Sequence, residues 1–166
     1  MSEAIPPGPV LVGELNPYGS RPEFALYDSP EGSAGERMRR MVCGLRPHTY
    51  RALSRHNLCV GEWSGPVARA SARHLSCSYE GRVLVLLGRK VASAFGLARE
   101  PAFSIHRPPV FTLVGGPTTV HVLLPHPSGL CREWHEPGAF ARARGLLREA
   151  CPWVPWGEAL DEGSCP

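Results

Sequence analysis

The 166-residue sequence contains no CxxC pair, no long apolar run and almost no lysine. Because no stretch of 18 apolar residues is present, the sequence predicts no membrane-spanning helix. Residues 1–8 lack the basic and apolar regions of a signal peptide, so a cytoplasmic location is expected. No internal repeat or low-complexity segment interrupts the chain. With 43% hydrophobic residues, a chain of this length suffices for one well-buried domain and is short for two, so one domain, residues 9–166, is predicted after a flexible N-terminus, residues 1–8.

The six cysteines are scattered along the chain: Cys43, Cys59, Cys77, Cys131, Cys151 and Cys165. In a cytoplasmic protein this scatter favours reduced thiols over a disulfide framework. The nearest candidate metal ligands are His126, Cys131 and His135. They lack a fourth partner and regular spacing, so no metal or other cofactor is expected.

The basic residues are strongly biased towards arginine. Of 18 lysines and arginines only Lys90 is a lysine, and the net charge is +3. This charge permits nucleic-acid binding but is too small to demonstrate it. Arg69 and Arg73 share one face of a predicted helix, where they either form a solvated stripe or face phosphates.

Short apolar segments alternate with amphipathic segments along the chain. Strands are predicted at 9–12, 57–60, 83–87, 110–114 and 118–124, and helices at 33–45, 67–75, 89–97 and 137–150. A short helical turn is expected at 48–53 and a proline-rich loop at 100–109. This alternation predicts a three-layer α/β/α sandwich with a central, mostly parallel sheet of four to five strands.

Two of the predicted strands end in polar turns. The strand at 9–12 breaks at Gly13, and the turn formers Asn16-Pro17-Tyr18-Gly19 follow. The last strand runs into Pro125-His126-Pro127-Ser128-Gly129. Open α/β sheets bind ligands at the carboxyl ends of their strands, so Glu14 and Asn16 are candidate site residues. The alternative is an ordinary Asn-Pro turn after a buried strand.

Five segments, taken in order, resemble signature regions of the uracil-DNA glycosylase superfamily. They are GELNPYG (13–19), SAG (33–35), RHNL (55–58), VLLGRKVA (85–92) and HPSGL (126–130). Each segment alone is weak evidence, and their order and spacing over residues 9 to about 150 carry the resemblance. The resemblance implies a monofunctional DNA glycosylase. Such an enzyme hydrolyses the N-glycosidic bond of uracil, or of another altered base flipped out of DNA, in repair on the nucleoid.

The resemblance also implies catalytic roles. Asn16 would orient a water molecule below the sugar, and neutral His126 would donate a hydrogen bond to the departing base. An extra residue between Gly13 and Asn16 leaves open whether Glu14 takes the water-positioning role instead. The aspartate of the most active uracil enzymes is absent. Outside this resemblance, Asn16 is a good turn residue and His126 a candidate structural histidine.

Four residues would bind the base if the resemblance holds. Asn57 would read its edge through an amide that donates and accepts side by side. Tyr18 would exclude a 5-methyl group, so that uracil enters and thymine does not. Tyr27, or else Phe24, would stack on the flipped base. Alternatives stay open for three of the four, since Asn57 also suits a turn and the aromatic residues of the loop at 20–33, Phe24 and Tyr27, can pack onto the core.

The DNA-contacting set implied by the resemblance lies in and after the second motif: Ser128, Gly129, Leu130, Arg132 and Trp134. Ser128 would donate to a phosphate, and Arg132 would contact the backbone. Leu130 would wedge into the gap left by the flipped base, with Trp134 as a second candidate. An exposed Leu or Trp here can equally anchor the loop onto the last helix.

Two other functions stay open at this point. The same chemistry could act on free, modified nucleosides or nucleotides, which the modest charge slightly favours. A catalytically weak member that only binds DNA or another protein is the second alternative. If the protein is a DNA glycosylase, we expect a monomer that binds duplex or single-stranded DNA and no membrane.

Overall fold

The computed structural model describes residues 7–108 and 118–158, which form one five-stranded sheet flanked by helices. The strands are β1 (Val10–Asn16), β2 (Ser54–Val60), β3 (Val83–Leu87), β4 (Ser104–His106) and β5 (Val120–Leu124). Their spatial order is β2-β1-β3-β5-β4. The first four neighbours are parallel, and β4 pairs antiparallel with β5 at one edge. The mostly parallel sheet predicted from the sequence is confirmed.

Helices cover both faces of this sheet. They are α1 (Ala34–Arg37), which continues into a π-helical segment (Met38–Cys43), α2 (Pro47–Arg51), α3 (Gly65–Ser78), α4 (Arg89–Ala94) and α5 (Ala139–Ala150). Two 3-10 turns, Pro22–Phe24 and Arg132–His135, complete the elements. Helices α3 and α4 pack on one face, and α5 packs with the π-helical segment on the other. The architecture is therefore the predicted three-layer α/β/α sandwich.

The alternation of side chains along β3 explains the two hydrophobic cores. Leu84 and Leu86 point into the core beneath α3 and α4, whereas Val85 and Leu87 point into the core beneath α5. All four are fully buried. Full burial of such a side chain stabilises the fold by about 1.5–3 kcal/mol. A continuous apolar run is thus what a central parallel strand needs.

The first strand is longer than the sequence predicted. We expected it to stop at Gly13, but β1 pairs with β2 through Asn16. A Cβ on Gly13 would lie 2.2 Å from Asn57 Oδ1, so glycine lets the Asn57 side chain cross β1 without ending the ladder. Because β1 alternates between faces, Glu14 and Asn16 share one side of its carboxyl end.

Several other helices and strands begin or end at residues different from those predicted. The helix expected at 33–45 divides into α1 and the π-helical segment and ends at Gly44, whose φ of +60° stops it. The helix expected at 89–97 ends at Ala94. The proline-rich loop at 100–109 contains β4, three residues too short to show a strand pattern. The strand expected at 110–114 and the flexible N-terminus up to residue 6 lie outside the described residues.

Two further sequence expectations have a structural counterpart. Among the residues described, no helix is long and apolar enough to cross a membrane. The five cysteines in those ranges, which exclude Cys165, are all free thiols. Three of them, Cys43, Cys59 and Cys151, are buried, where a thiol acts as a small apolar side chain.

His121 on β5 makes the stability of the fold sensitive to acid. Both of its ring nitrogens are buried and have no hydrogen-bond partner within the described ranges. Its ring lies 5.7 Å from the ring of Phe95 and 6.2 Å from that of His106. Burial, aided by the charge of His106, lowers the pKa of His121 to about 4. The folded protein therefore holds His121 neutral.

We expect the free energy of unfolding to fall as the pH drops from about 6.5 to 4. In this window the unfolded chain binds a proton at His121 that the folded chain rejects, and the full loss is about 3 kcal/mol. Above pH 6.5 both states are neutral, and below pH 4 both are protonated. Urea unfolding of wild type and His121→Leu at several pH values measures the difference. If the free energy of unfolding fell equally steeply with pH in the two proteins, the assignment to His121 would be contradicted. His48→Gln is the control, because His48 is exposed.

Candidate functional site

A cavity of about 550 Å³ opens where β1 and β5 end at the carboxyl edge of the sheet. We call it the main cavity. It brings together six residues singled out in the sequence, contributed by four separate segments: Glu14, Asn16, Phe24, Tyr27, Asn57 and His126. The predicted edge of the sheet therefore does gather the candidate catalytic and base-binding residues, apart from Tyr18.

Asn16 and Asn57 form a side-chain pair at one wall of this cavity. Asn57 Nδ2 donates to Asn16 Oδ1 at 2.7 Å and to the carbonyl of Leu15 at 2.9 Å. A backbone carbonyl only accepts, so this contact fixes which end of the Asn57 amide is the nitrogen. Asn57 Oδ1 is buried and has no partner among the described residues. A buried acceptor of this kind calls for a donor supplied by a ligand or by water.

Glu14 lies between two cavities. A side cavity of about 280 Å³ shares Glu14 and His126 with the main cavity and adds Lys90. Lys90 Nζ lies 3.6 Å from Glu14 Oε2. A Cβ on Gly88 would lie 3.1 Å from Glu14 Oε1 and 3.2 Å from His126 Cβ, so glycine at the end of β3 lets both groups approach. The carboxylate is thus held beside the imidazole and paired with one cation.

His126 is neutral near pH 7. Burial lowers the pKa of the imidazole, and the nearby Lys90 ammonium lowers it further, while Glu14 opposes the shift. A neutral imidazole carries one N–H donor and one acceptor. It can therefore donate a hydrogen bond to a group that becomes negative without bringing a positive charge into the site.

The backbone of the loop that begins at His126 is fixed from two directions. Trp134 Nε1 donates to the carbonyl of His126 at 2.8 Å. Arg37 Nε donates to the carbonyl of Pro127 at 3.1 Å. Trp134 itself is only 3% exposed and stacks on Phe140 with ring centroids 5.2 Å apart. The sequence offered Trp134 as a second wedge into DNA, and that role is wrong because the ring is part of the core.

Replacing Trp134 with phenylalanine should destabilise the fold by about 2–3 kcal/mol. The change replaces a well-packed indole with a smaller ring and leaves the carbonyl of His126 without the Nε1 donor. Urea unfolding followed by circular dichroism measures the loss. Trp153→Phe is the matched control, because Trp153 is 38% exposed and its change should cost less than about 0.5 kcal/mol. Equal losses in the two variants would contradict this role for Trp134.

The remaining residues of the second motif protrude from the site. Leu130 is 92% exposed, more than any other large apolar residue among those described. Gly129 and Arg132 are also exposed, and Ser128 is half-buried. Single exposed apolar residues are common, but one at the tip of a polar loop beside a cavity suits insertion into a partner.

Tyr18 is not part of the main cavity. Its side chain is 74% exposed and covers Gly61, where a Cβ would overlap the tyrosine ring. The sequence placed Tyr18 next to the base on the strength of the motif alone. The longer β1 and the turn after it carry the ring to the neighbouring loop instead.

The aromatic loop at 20–33 supplies one wall of the main cavity. Tyr27 is half-buried there and meets Phe24 edge to face, with centroids 5.3 Å apart. The guanidinium groups of Arg51 and Arg55 lie 5.3 and 5.8 Å from the Tyr27 ring. Arg51 also pairs with the buried Asp28 at 2.9 Å, which holds the loop against the core. Of the two alternatives left by the sequence, Tyr27 and Phe24 line a pocket.

Within the ranges 7–108 and 118–158, no three His, Cys, Asp or Glu side chains converge as metal ligands. The set His126, Cys131 and His135 is therefore not assembled. Cys131 Sγ instead donates to Glu133 Oε2 at 2.9 Å, and burial raises the pKa of this thiol to about 11. The thiol is thus protonated at neutral pH.

Sequence reasoning missed two cations of the site. Lys90 pairs with Glu14. It is the single lysine of the chain, but we assigned it no function from the sequence. Arg37, which fixes the loop after His126, carried no signal, since its partner lies 90 residues away.

The fold and the site together define an α/β protein with a cavity at the carboxyl edge of its sheet, lined by apolar, aromatic and a few polar side chains. Comparison of the chain with models of known protein families, with curated proteins and with solved structures finds no match. The function is therefore argued from the geometry of the site.

Proposed function

We propose that the protein is a DNA glycosylase that hydrolyses the N-glycosidic bond of uracil or another altered base. One observation carries the proposal. A carboxylate, a neutral imidazole, an amide pair and an aromatic ring converge on a single cavity at the end of β1 and β5. Cleavage of a base–sugar bond develops positive charge on the sugar and negative charge on the base. The carboxylate can stabilise the positive charge on the sugar, and the imidazole N–H can stabilise the negative charge on the base.

Glu14 is the group that positions water in this proposal. The Oδ1 atom of Asn16 already accepts a hydrogen bond from Asn57, so it is engaged within the protein. The Glu14 carboxylate can accept a proton from water and can stabilise a cationic sugar, which an amide cannot do. The role that the resemblance gave to Asn16 is thereby transferred to Glu14, and Asn16 becomes the residue that orients Asn57.

The reaction then needs only one water molecule. Its oxygen bonds to C1′ of the deoxyribose, the C1′–N bond breaks, and the electron pair leaves with the base. One water proton passes to Glu14, and His126 donates a hydrogen bond to the carbonyl oxygen on which the base carries its negative charge. Solvent protonates the released base, and Glu14 returns its proton to solvent, which completes the balance.

Base selection rests on Asn57 and Tyr27 in this proposal. Asn57 lines the main cavity and would read the edge of the base through its amide, and the Tyr27 ring would stack on the face of the base. Stacking offsets part of the cost of extruding a base from a duplex. Since Tyr18 lies away from the cavity, we do not assign it the exclusion of a 5-methyl group.

DNA is the proposed partner because the second motif presents a suitable loop. Leu130 would enter the gap left by the flipped base, while Ser128 and Arg132 would contact phosphates beside it. The fully exposed Leu130 and the fixed backbone behind it support this arrangement.

A cleavage panel tests the proposal. Single-stranded and duplex oligonucleotides carrying uracil, hypoxanthine, xanthine, hydroxymethyluracil or thymine are incubated with the protein, and abasic product is scored after alkali. We expect cleavage of one altered base. Product only from free nucleosides or nucleotides would move the activity to that substrate class. No product with DNA binding retained would leave a non-catalytic binder and overturn the proposal.

A further inference from the structure

A second surface lies beside the site, on the face of the sheet covered by α3 and α4. This basic groove has a volume of about 390 Å³ and is lined by Trp63, Arg69, Arg89 and Lys90 together with small side chains. No carboxylate is among the described residues that line the groove, although Lys90 pairs with Glu14 in the adjoining side cavity. Lys90 Nζ lies 5.6 Å from the centroid of the Trp63 ring. Trp63 is half-buried and lines the groove through the rest of its ring. Cations beside an aromatic ring are the elements that bind unpaired nucleotides.

The basic groove is continuous with the proposed catalytic site. Arg89 and Lys90 line both the groove and the side cavity. Glu14 and His126 line both the side cavity and the main cavity. Three concave surfaces therefore follow one another along the carboxyl edge of the sheet, and each adjoining pair shares two residues.

We infer that the basic groove binds single-stranded DNA next to the target base, with Arg69 on a phosphate and one unpaired base stacked on Trp63. This inference rests on the DNA substrate of the proposed function. A strand whose target base occupies the main cavity continues along its backbone, and the groove is the neighbouring concave surface that carries positive charge. A lone phosphate would need the cations but not the aromatic ring, whereas a nucleotide uses both.

Arg69 and Arg73 provide a matched comparison. Both are exposed on α3, one turn apart, and the sequence could not say whether their face meets solvent or phosphate. The structure separates them, because Arg69 lines the groove and Arg73 does not. Of the two, Arg69 alone is assigned a phosphate contact.

The experiment measures binding rather than cleavage. Fluorescence anisotropy of a labelled, unmodified single-stranded oligonucleotide gives the dissociation constant at several salt concentrations. For Arg69→Gln we expect a severalfold weaker affinity and a slope of log K against log salt that is shallower by about 0.7, the value for one phosphate contact on a single strand. Arg73→Gln should match wild type. Trp63→Ala should weaken binding by about tenfold, and Trp63→Phe should retain most of it.

Equal effects of Arg69→Gln and Arg73→Gln, or an affinity that ignores Trp63→Ala, would overturn the inference. An equal loss of affinity for duplex DNA in Arg69→Gln would also overturn it, because the contact would then not be specific for unpaired strand. These outcomes are separate from those of the cleavage panel. If the groove variants behave as expected while no base is released, the groove stands and the glycosylase activity fails. If a base is released while the groove variants bind DNA like wild type, the glycosylase activity stands and the groove assignment fails.

Discussion

Glu14→Gln is expected to lower the single-turnover rate of base release by about 10²–10⁴-fold, with little change in DNA affinity. The substitution keeps the size of the side chain but removes the proton acceptor and the negative charge beside the sugar. The proposed function places DNA binding on the loop that carries Leu130 and on cationic contacts, which the change leaves in place. Rates from rapid quenching and dissociation constants from anisotropy separate the two effects.

Two other variants control for this result. Glu133 also lines the side cavity but hydrogen-bonds Cys131, so Glu133→Gln should keep most of the activity. Asn16→Ala removes one of the two acceptors that orient Asn57 and should reduce discrimination between bases more than the maximal rate. A larger rate loss in Asn16→Ala than in Glu14→Gln would return the water-positioning role to Asn16.

His126→Ala is expected to lower the rate of base release by about 10²–10³-fold, the usual effect of removing one donor to a developing anion. The loss should be about the same from pH 7 to 9. Because burial lowers the pKa of His126, the ring is neutral across this range and donates the same hydrogen bond throughout. Single-turnover rates of the two proteins at each pH measure the ratio.

His135→Gln is the control for this second prediction, since His135 is exposed in the same segment and lies outside both cavities. A loss that disappears on substrates with a better leaving base would support the role, because such a base needs less stabilisation. A loss of equal size in His135→Gln would show that the segment, and not the imidazole at 126, is responsible.

The fold was predictable because its strongest signals are local. The run Val83–Leu87 could only be a buried strand, and its alternation with helices fixed the layers. The errors have physical causes. A glycine usually interrupts a strand. Gly13 instead leaves room for the Asn57 side chain, and the pairing of β1 with β2 continues past it. The three residues of β4 are held by β5 alone, a contact that no local pattern reveals.

The site was predictable only in part. Carboxyl ends of parallel strands meet at one edge, so Glu14, Asn16 and His126 could be placed there from their positions after strands. Which of them faces water depends on the pair Asn16–Asn57 and on Lys90, and these contacts join residues more than 40 positions apart. Tyr18 and Trp134 were assigned the wrong positions because a sequence motif shows neither how buried a side chain is nor which way it points.

Release of a free base together with an intact abasic strand tests the central claim most directly. A single-stranded oligonucleotide containing uracil would be incubated with wild type and Glu14→Gln, and the products analysed by mass spectrometry without alkali treatment. Hydrolysis at C1′ predicts free uracil and an uncleaved abasic strand in equal amounts, at a rate strongly reduced in Glu14→Gln. If neither uracil nor any other base of the panel leaves an oligonucleotide that the protein binds, the account of this site as a glycosylase is contradicted.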